Sequence, residues 1–214
     1  MAPPARIWDC TCGIGTQALG LGAAGYRIVG TDLSPGAVAR ATEEAVRRGL
    51  NIEFGVRDVR SGPPSMSVPF DAVVSADNAL PHLLTDRDIR DALHSMAEAL
   101  RPGGVVLIGI RDYDTLSAQK PSGTTPGMRS TAEGRVVVVQ AWEWADDGRS
   151  YDVHLFVLRE VKDGWHVSEH TMKYRALLRA ELSGLLAEAG FRDVEWIMPE
   201  RSGLYQPLVV GFRA

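Results

Sequence analysis

The chain is poor in cysteine: two of its 214 residues, Cys10 and Cys12. A disulfide scaffold is excluded, because a bridge across one intervening residue would strain the turn that holds them. No further Cys or nearby His completes a ligand set, so no metal is expected and both sulfurs read as reduced thiols. No apolar run is long enough to span a bilayer, and the opening Met1-Ala2-Pro3-Pro4-Ala5-Arg6 lacks the apolar stretch of a secretory signal. The expectation is a cytoplasmic chain with no membrane partner. Charge of one sign is also scarce. The formal net charge is -4, and Arg40, Arg47 and Arg48 sit among Glu43 and Glu44, a mixed solvated face that argues against a nucleic-acid partner. There is no internal repeat and no low-complexity tract. What remains, 45% hydrophobic and 23% charged residues, is ordinary for a globular chain whose length fits one domain with a real core.

The informative residues lie near the start. Ile7-Trp8-Asp9-Cys10-Thr11-Cys12-Gly13-Ile14-Gly15-Thr16 reads as a short strand ending on an acid, then a Gly-x-Gly turn opening a small-residue helix. Ile28-Val29-Gly30-Thr31-Asp32 reads as a second strand ending on another acid. This is the first half of a nucleotide-binding βαβ unit. Asp9 decides which nucleotide. In dinucleotide enzymes the turn and the helix N-terminus hold a pyrophosphate through free N–H groups and the helix dipole. A carboxylate at the mouth of that turn opposes a phosphate. It suits a phosphate-free ligand with an amino group and a sulfonium, and S-adenosyl-L-methionine is that ligand.

Alternation continues downstream. Residues 5–9 form the first strand, Thr16 to Ala24 a helix stopped by Gly25, and Arg27 to Thr31 the second strand. Ser34 and Pro35 cap a helix to about Arg48, stopped by Gly49. Ile52 to Val56 make a third strand ending near Asp58, Ser61 to Pro69 a Pro/Ser loop, and Phe70 to Ser75 a fourth strand apolar enough to be buried on both faces. Asp71 reads as a residue at the start of that strand. Thr85 opens a helix with Asp88 three residues on, close to a capping box, and Ile89, Leu93, Met96, Ala97 and Leu100 share one face. Arg101-Pro102-Gly103-Gly104 ends it before a fifth strand, Val105 to Ile110. The pattern then changes. Gln119 to Gly134 reads as a mobile loop. Val136 to Trp144, Tyr151 to Glu160 and Trp165 to Tyr174 are strand-like runs joined by Asp-Gly hairpin turns. Tyr174 to Ala189 returns to helix, stopped by Gly190, and Phe191 to Ile197 and Gln206 to Phe212 are the last strands. The expected fold is α/β: a Rossmann-like, doubly wound, seven-stranded sheet, mostly parallel, with an antiparallel β insertion after the fifth strand. One domain is expected over 1–214, with a cofactor-binding half at 1–118, the loop and insertion at 119–175, and the closing helix and strands at 176–214.

This order of motifs resembles the class I S-adenosylmethionine-dependent methyltransferases, and within them the glycine/sarcosine N-methyltransferases and their small-molecule relatives. The resemblance covers the whole chain. It is strongest at Asp9 to Gln17, at Asn78-Ala79-Leu80-Pro81-His82-Leu83, at Leu100 to Gly104 and at Arg111-Asp112-Tyr113-Asp114. It implies methyl transfer to a small-molecule acceptor, an amine or amino-acid-like nitrogen, by in-line displacement. Asp9, Cys12, Gly13 and Gly15 then line the pocket for the cofactor's methionine part, with Asp9 reaching its ammonium. Asp32 accepts from the ribose hydroxyls and Leu33 packs on adenine. Asp58 accepts from the adenine amino group, Val59 offers backbone contacts, and Ala76 borders the cofactor. Asn78 helps hold the acceptor, His82 stands at the cofactor mouth as a candidate base, Arg111 holds an acceptor carboxylate, and Tyr113 follows the fifth strand at the same edge. Tyr174 and Tyr205 are further candidates to close the pocket.

Blander roles stand beside these. Asp58 caps a turn before Ser61, His82 packs with one satisfied nitrogen, and Arg111 pairs with Asp112 or Asp114. Trp142, Trp144 and Trp165 line a substrate pocket or are core. The insertion covers the acceptor side or is the dimer surface of a homo-oligomer. Relatives carry a helical segment before the first strand. Here that strand begins within a few residues of Met1, so either the start is trimmed or the cofactor site is open. Rival activities are O-methylation of a natural-product-like hydroxyl, a nicotinamide-dependent reductase (Gly13-x-Gly15-x-x-Ala18 also fits the dinucleotide fingerprint) and a non-catalytic subunit of this fold. A base-amine methyltransferase is disfavoured, because Ala76-Asp77-Asn78-Ala79 stands where an Asn-Pro-Pro-Tyr motif is needed.

Overall fold

The computed structural model describes residues 2–64 and 68–214. The middle of the loop expected over Ser61 to Pro69, residues 65–67, lies outside them. The described chain divides into two compact units. The first contains residues up to Leu80, Thr85–Asp112 and Arg179–Ala214; the second contains Pro81–Leu84 and Tyr113–Leu178.

The first unit is built on seven strands: β1 (Arg6–Asp9), β2 (Arg27–Asp32), β3 (Glu53–Val56), β4 (Phe70–Ser75), β5 (Leu100–Gly109), β10 (Phe191–Ile197) and β11 (Leu208–Arg213). Their order is β10-β11-β5-β4-β1-β2-β3. The five from β3 to β5 are parallel neighbours, and β11 runs antiparallel to both β5 and β10. Helices α1 (Thr16–Ala23), α2 (Pro35–Arg47) and α3 (Asp86–Ala99) connect the parallel strands. Each starts where the sequence supplies a signal. Ser34 accepts the N–H of Ala37 at α2. At α3, Thr85 accepts the N–H of Asp88 and donates its hydroxyl to the same residue's carboxylate.

Parallel strands covered on both faces must be apolar throughout. Ile7, Ala18, Ile28 and Ala72 form one buried cluster. Trp8 is fully buried, stacks on Phe70 with centroids 6.1 Å apart, and donates its indole N–H to Thr31 Oγ1 at 2.8 Å. Thr31→Val keeps the shape and removes the acceptor. Leaving that buried donor unpaired costs about 1–3 kcal/mol, and a urea midpoint unchanged from the parent's refutes the assignment.

The closing helix is α5 (Arg179–Glu188), shorter than the span expected from Tyr174, because Tyr174 and Arg175 pair in a strand of the second unit. The fifth strand begins at Leu100, since Arg101 to Gly104 are taken into β5 across a register shift. A short α6 (Pro199–Ser202) also joins β10 to β11.

The second unit holds α4 (Tyr113–Gln119) and four antiparallel strands in the order β6 (Gly127–Thr131), β7 (Gly134–Trp144), β8 (Ser150–Val161), β9 (Gly164–Arg175). The sequence anticipates three of these strands. β6 and the Gly123–Ala141 bridge occupy the stretch expected to be a loop, because β7 offers an open edge that its Gly- and Thr-rich neighbour can pair with. Tyr151, fully buried, is the centre of this unit, with Trp144 and Tyr174 stacked on it at 4.5 and 5.5 Å and Trp142 tilted at 5.1 Å.

Candidate active site

Asp9 ends β1, flanked by Gly30 on β2 and Val74 on β4. It is 1% exposed. The helix that follows has Gly15 at its N-cap, with no side chain to accept a helix-end N–H. Asp9 supplies that acceptor from outside, taking hydrogen bonds from the backbone of Ala18, in the first turn of α1, and of Thr11. Its second oxygen, Oδ2, meets no donor among the described residues. Burial dominates the electrostatics. Together with the nearby carboxylates of Asp32 and Asp77 it pushes Asp9 from 3.8 up to about 7.

The two glycines of the turn serve different ends. Gly15 has φ +88°, and a Cβ there would sit 3.1 Å from Ala41 Cβ, so it lets α1 pack on α2. Gly13 has φ +53° and only open space above it, so backbone can approach a ligand there. Its N–H donates to Asp32 Oδ2 at 2.8 Å, while Asp32 Oδ1 accepts from the N–H of Ser34 at 2.9 Å. A carboxylate has about four acceptor positions, so Asp32 keeps capacity for a ligand. Leu33 beside it is two-thirds exposed. Cys12 is buried beneath the turn, its N–H on Thr31 O, and Cys10 Sγ donates to Val74 O. Burial raises both thiols, so neither is a ready nucleophile.

At β3, Asp58 has other partners than those the resemblance implies. It accepts from the N–H of Arg60 and, at both oxygens, from the Arg60 guanidinium, which also reaches Asp88 at 2.5 Å. Those bonds occupy its acceptor positions, so here it caps the turn and staples it to α3. Val59 is buried beside it.

At the tip of β4, Ala76 is followed by Asp77 and Asn78 at φ 56° and 64°, a left-handed pair that only short polar side chains adopt readily. Asn78 is buried; its N–H donates to Gly109 O and its Oδ1 accepts the N–H of Arg111 at 3.0 Å, tying β4 to β5. Asp112 faces Arg179 at 3.8 Å. Asp77 accepts from Tyr205 Oη at 2.5 Å and from Gln17 Nε2 at 3.2 Å. Sequence reasoning passed over Asp77, although an Asp-Asn pair at a strand end is a signal for left-handed backbone.

The structure thus brings Asp9, Cys12, Gly13, Gly15, Asp32, Leu33, Ala76, Asn78 and Arg111 into one unit. His82 and Tyr113 belong to the other. His82 lies on the Tyr174 ring with centroids 4.2 Å apart. Tyr113 is fully buried, its hydroxyl 3.1 Å from that of Tyr151, and it belongs to the aromatic core of the second unit. Trp142 is buried in that same core and Trp144, half-buried, stacks on Tyr151, whereas Trp165 is exposed under the Arg135 guanidinium. Among the described residues no group of three or more His, Cys, Asp or Glu is arranged to hold a metal, and no helix is long and apolar enough to cross a membrane.

The residues at the turn fit S-adenosylmethionine. An unpartnered buried carboxylate oxygen calls for a cationic donor, the space above Gly13 admits a ligand against the backbone, and an acid with spare acceptor positions stands beside an exposed leucine. A pyrophosphate would meet Asp9 with like charge.

Residues 7–104 match the family described as methyltransferase domain. The chain is similar to the glycine/sarcosine N-methyltransferase of Parasynechococcus marenigrum, with 27% identity over 190 residues, 88% of this chain and 63% of that protein. It spans 41% to 63% of the three glycine/sarcosine N-methyltransferases it matches. Among solved structures, Streptomyces venezuelae DesVI has a TM-score of 0.80 at 23% identity, covering 99% of this chain and 85% of that one. The sugar N-methyltransferase KedS8 of Streptoalloteichus also reaches 0.80, at 20% identity over 99% and 81%. Fold, glycine turn and sequence matches agree: residues 7–104 match a methyltransferase domain, and the chain is similar in sequence and fold to S-adenosylmethionine-dependent methyltransferases.

Proposed function

We propose that the protein methylates a nitrogen on a small molecule, an amine or amino-acid-like acceptor. The cofactor part of the reading is carried by the buried, unpartnered oxygen of Asp9 at the mouth of the glycine turn, and the nitrogen acceptor is supported by the likeness to glycine/sarcosine N-methyltransferases. When bound, S-adenosylmethionine supplies a methyl group on a sulfonium whose leaving group is a neutral thioether, so little acid catalysis is needed. The chain's contribution is positioning in a site sheltered from water, which is worth effective molarities of about 10⁵–10⁸ M. Asp9 Oδ2 accepts from the cofactor's ammonium, Gly13 and Ala76 give it backbone room, Asp32 accepts from ribose hydroxyls, and Leu33 and Val59 receive adenine. Arg111 holds an acceptor carboxylate through a two-pronged hydrogen bond, and Asn78 fixes the backbone from which Arg111 projects. His82 and Tyr113, in the second unit, carry no step here.

Titration calorimetry with S-adenosylhomocysteine and with NADH tests the cofactor, and isotope-labelled methyl transfer to glycine, sarcosine, an amino sugar and a catechol tests the acceptor. The amino sugar is included because KedS8 is described as a sugar N-methyltransferase. Heat with S-adenosylhomocysteine and label on nitrogen are expected. Heat with NADH alone, or label on the catechol only, refutes the proposal.

A further inference from the structure

Asp77 ends the tip of β4 with an exposed carboxylate, in the left-handed region, that accepts from two neutral donors among the described residues: a phenol and a carboxamide. Tyr205 reaches it across 128 residues of sequence, from a loop anchored beside the end of β5 by the Ile110 N–H to Pro207 O bond. Tyr205 as a residue is 74% exposed, so it is not packed into a core there, although its hydroxyl is partly shielded against Asp77. The desolvated phenol, beside the Asp77 carboxylate, is pushed to about 12, with Arg111 close enough to oppose that rise. Its proton therefore stays on oxygen, and the contact is a phenol O–H donated to the carboxylate without neutralising its charge.

The charge around the glycine turn is unbalanced. Asp32 and Asp77 both act on Asp9, so three carboxylates converge. Asp9 Oδ2 is buried with no donor, an independent sign that positive charge is to be supplied from outside. The cofactor of the preceding section brings two cations and one carboxylate, a net single positive charge. Counting the Arg111 guanidinium close to Tyr205 as well, one such ligand still leaves one carboxylate charge over, and the exposed member is Asp77.

We propose that Asp77 recognises a protonated amine on the methyl acceptor, and that Tyr205 is a latch occupying this carboxylate until the amine displaces the phenol. The proposal rests on the cofactor reading above. It makes the acceptor a cation as it binds, selected against a hydroxyl of the same size; the ammonium passes one proton to the Asp77 carboxylate or to water, and the freed nitrogen lone pair then attacks the methyl carbon as the C–S bond breaks. It also makes Tyr205 a competitor of the acceptor and not its partner.

Glycinamide and glycolamide are a matched pair, alike in shape and differing in ammonium against hydroxyl. Their affinities for the full chain saturated with S-adenosylhomocysteine are measured by calorimetry for the parent, Asp77→Asn and Tyr205→Phe. Asn tolerates the left-handed backbone as Asp does, and Tyr205 is exposed, so both variants are expected to fold. The parent is expected to prefer glycinamide at least tenfold. Asp77→Asn is expected to erase that preference while holding S-adenosylhomocysteine within threefold, and Tyr205→Phe to bind glycinamide as tightly as the parent or tighter. A preference that survives Asp77→Asn overturns the recognition role, as does a loss of S-adenosylhomocysteine affinity in that variant equal to the loss of glycinamide. Weaker glycinamide binding by Tyr205→Phe overturns the latch. If the parent itself fails to bind S-adenosylhomocysteine, the cofactor reading fails and the proposal falls with it.

Discussion

Asp9→Asn should make the ligand-free chain harder to unfold at pH 8 and weaken its hold on S-adenosylmethionine. Burial raises the Asp9 carboxyl from 3.8 to about 7. Between those values the folded chain keeps a proton that the unfolded chain has lost. Stability from this group is therefore complete below pH 4 and is lost as pH rises toward 7, by about 4 kcal/mol at 1.36 kcal/mol per unit. Asn mimics the neutral acid at every pH. The stability gap between variant and parent should thus be small at pH 4, widen up to pH 7 and stay level above it. Affinity moves the other way. The ligand's ammonium needs the ionised carboxylate, so parent affinity rises about tenfold per pH unit toward 7 and then levels. The variant should bind about 100-fold more weakly at pH 8, the scale of a buried charge pair broken on one side. Urea titrations from pH 4 to 8, paired with calorimetry, decide it. A gap that does not change with pH removes the burial argument.

Asp32→Asn is expected to lower S-adenosylhomocysteine affinity by about 100-fold as well, by a different route. Both oxygens of Asp32 hold the local backbone, one on Gly13 and one on Ser34. Asn keeps one acceptor and sets an amide donor against the N–H that lost its partner. Losing a hydrogen bond to a charged group costs about 1.5–3 kcal/mol, and the turn then loosens just where the ligand must lie. Two ribose contacts are impaired in addition. Because Asp32 is partly exposed, thermal stability should fall far less than affinity does. An affinity within threefold of the parent would rule out this role for Asp32.

Much of the first unit could be read from sequence because its signals are local. Asp9 and Asp32 close strands marked by Ile-Trp and Ile-Val, Ser34-Pro35 and Thr85 cap helices within three residues, and Gly13 and Gly15 mark the turn between. The parts that escaped depend on partners far along the chain. The Asp58–Arg60–Asp88 staple joins a turn to a helix 28 residues on, and no spacing rule foretells it. Tyr113 looked like a rim residue after the fifth strand, yet its hydroxyl meets Tyr151, and only the assembled second unit makes that contact available. β6 is weakly apolar and Gly-rich, so pairing with β7, not propensity, makes it a strand. Asp77 and Tyr205 lie too far apart in sequence for either to suggest the other.

The reversed direction of β11 has an outcome for how such a protein can diversify. A strand that opposes its neighbours begins on the rim where they finish, so the segment leading into β11 joins the loops that leave β1, β4 and β5. Residues 203–207 can then lengthen, shorten or exchange side chains without disturbing the turn at Gly13, while five paired positions between β11 and β5 keep their far end anchored. Preference for one acceptor over another can drift at that margin while the nucleoside end of the cleft stays as it is.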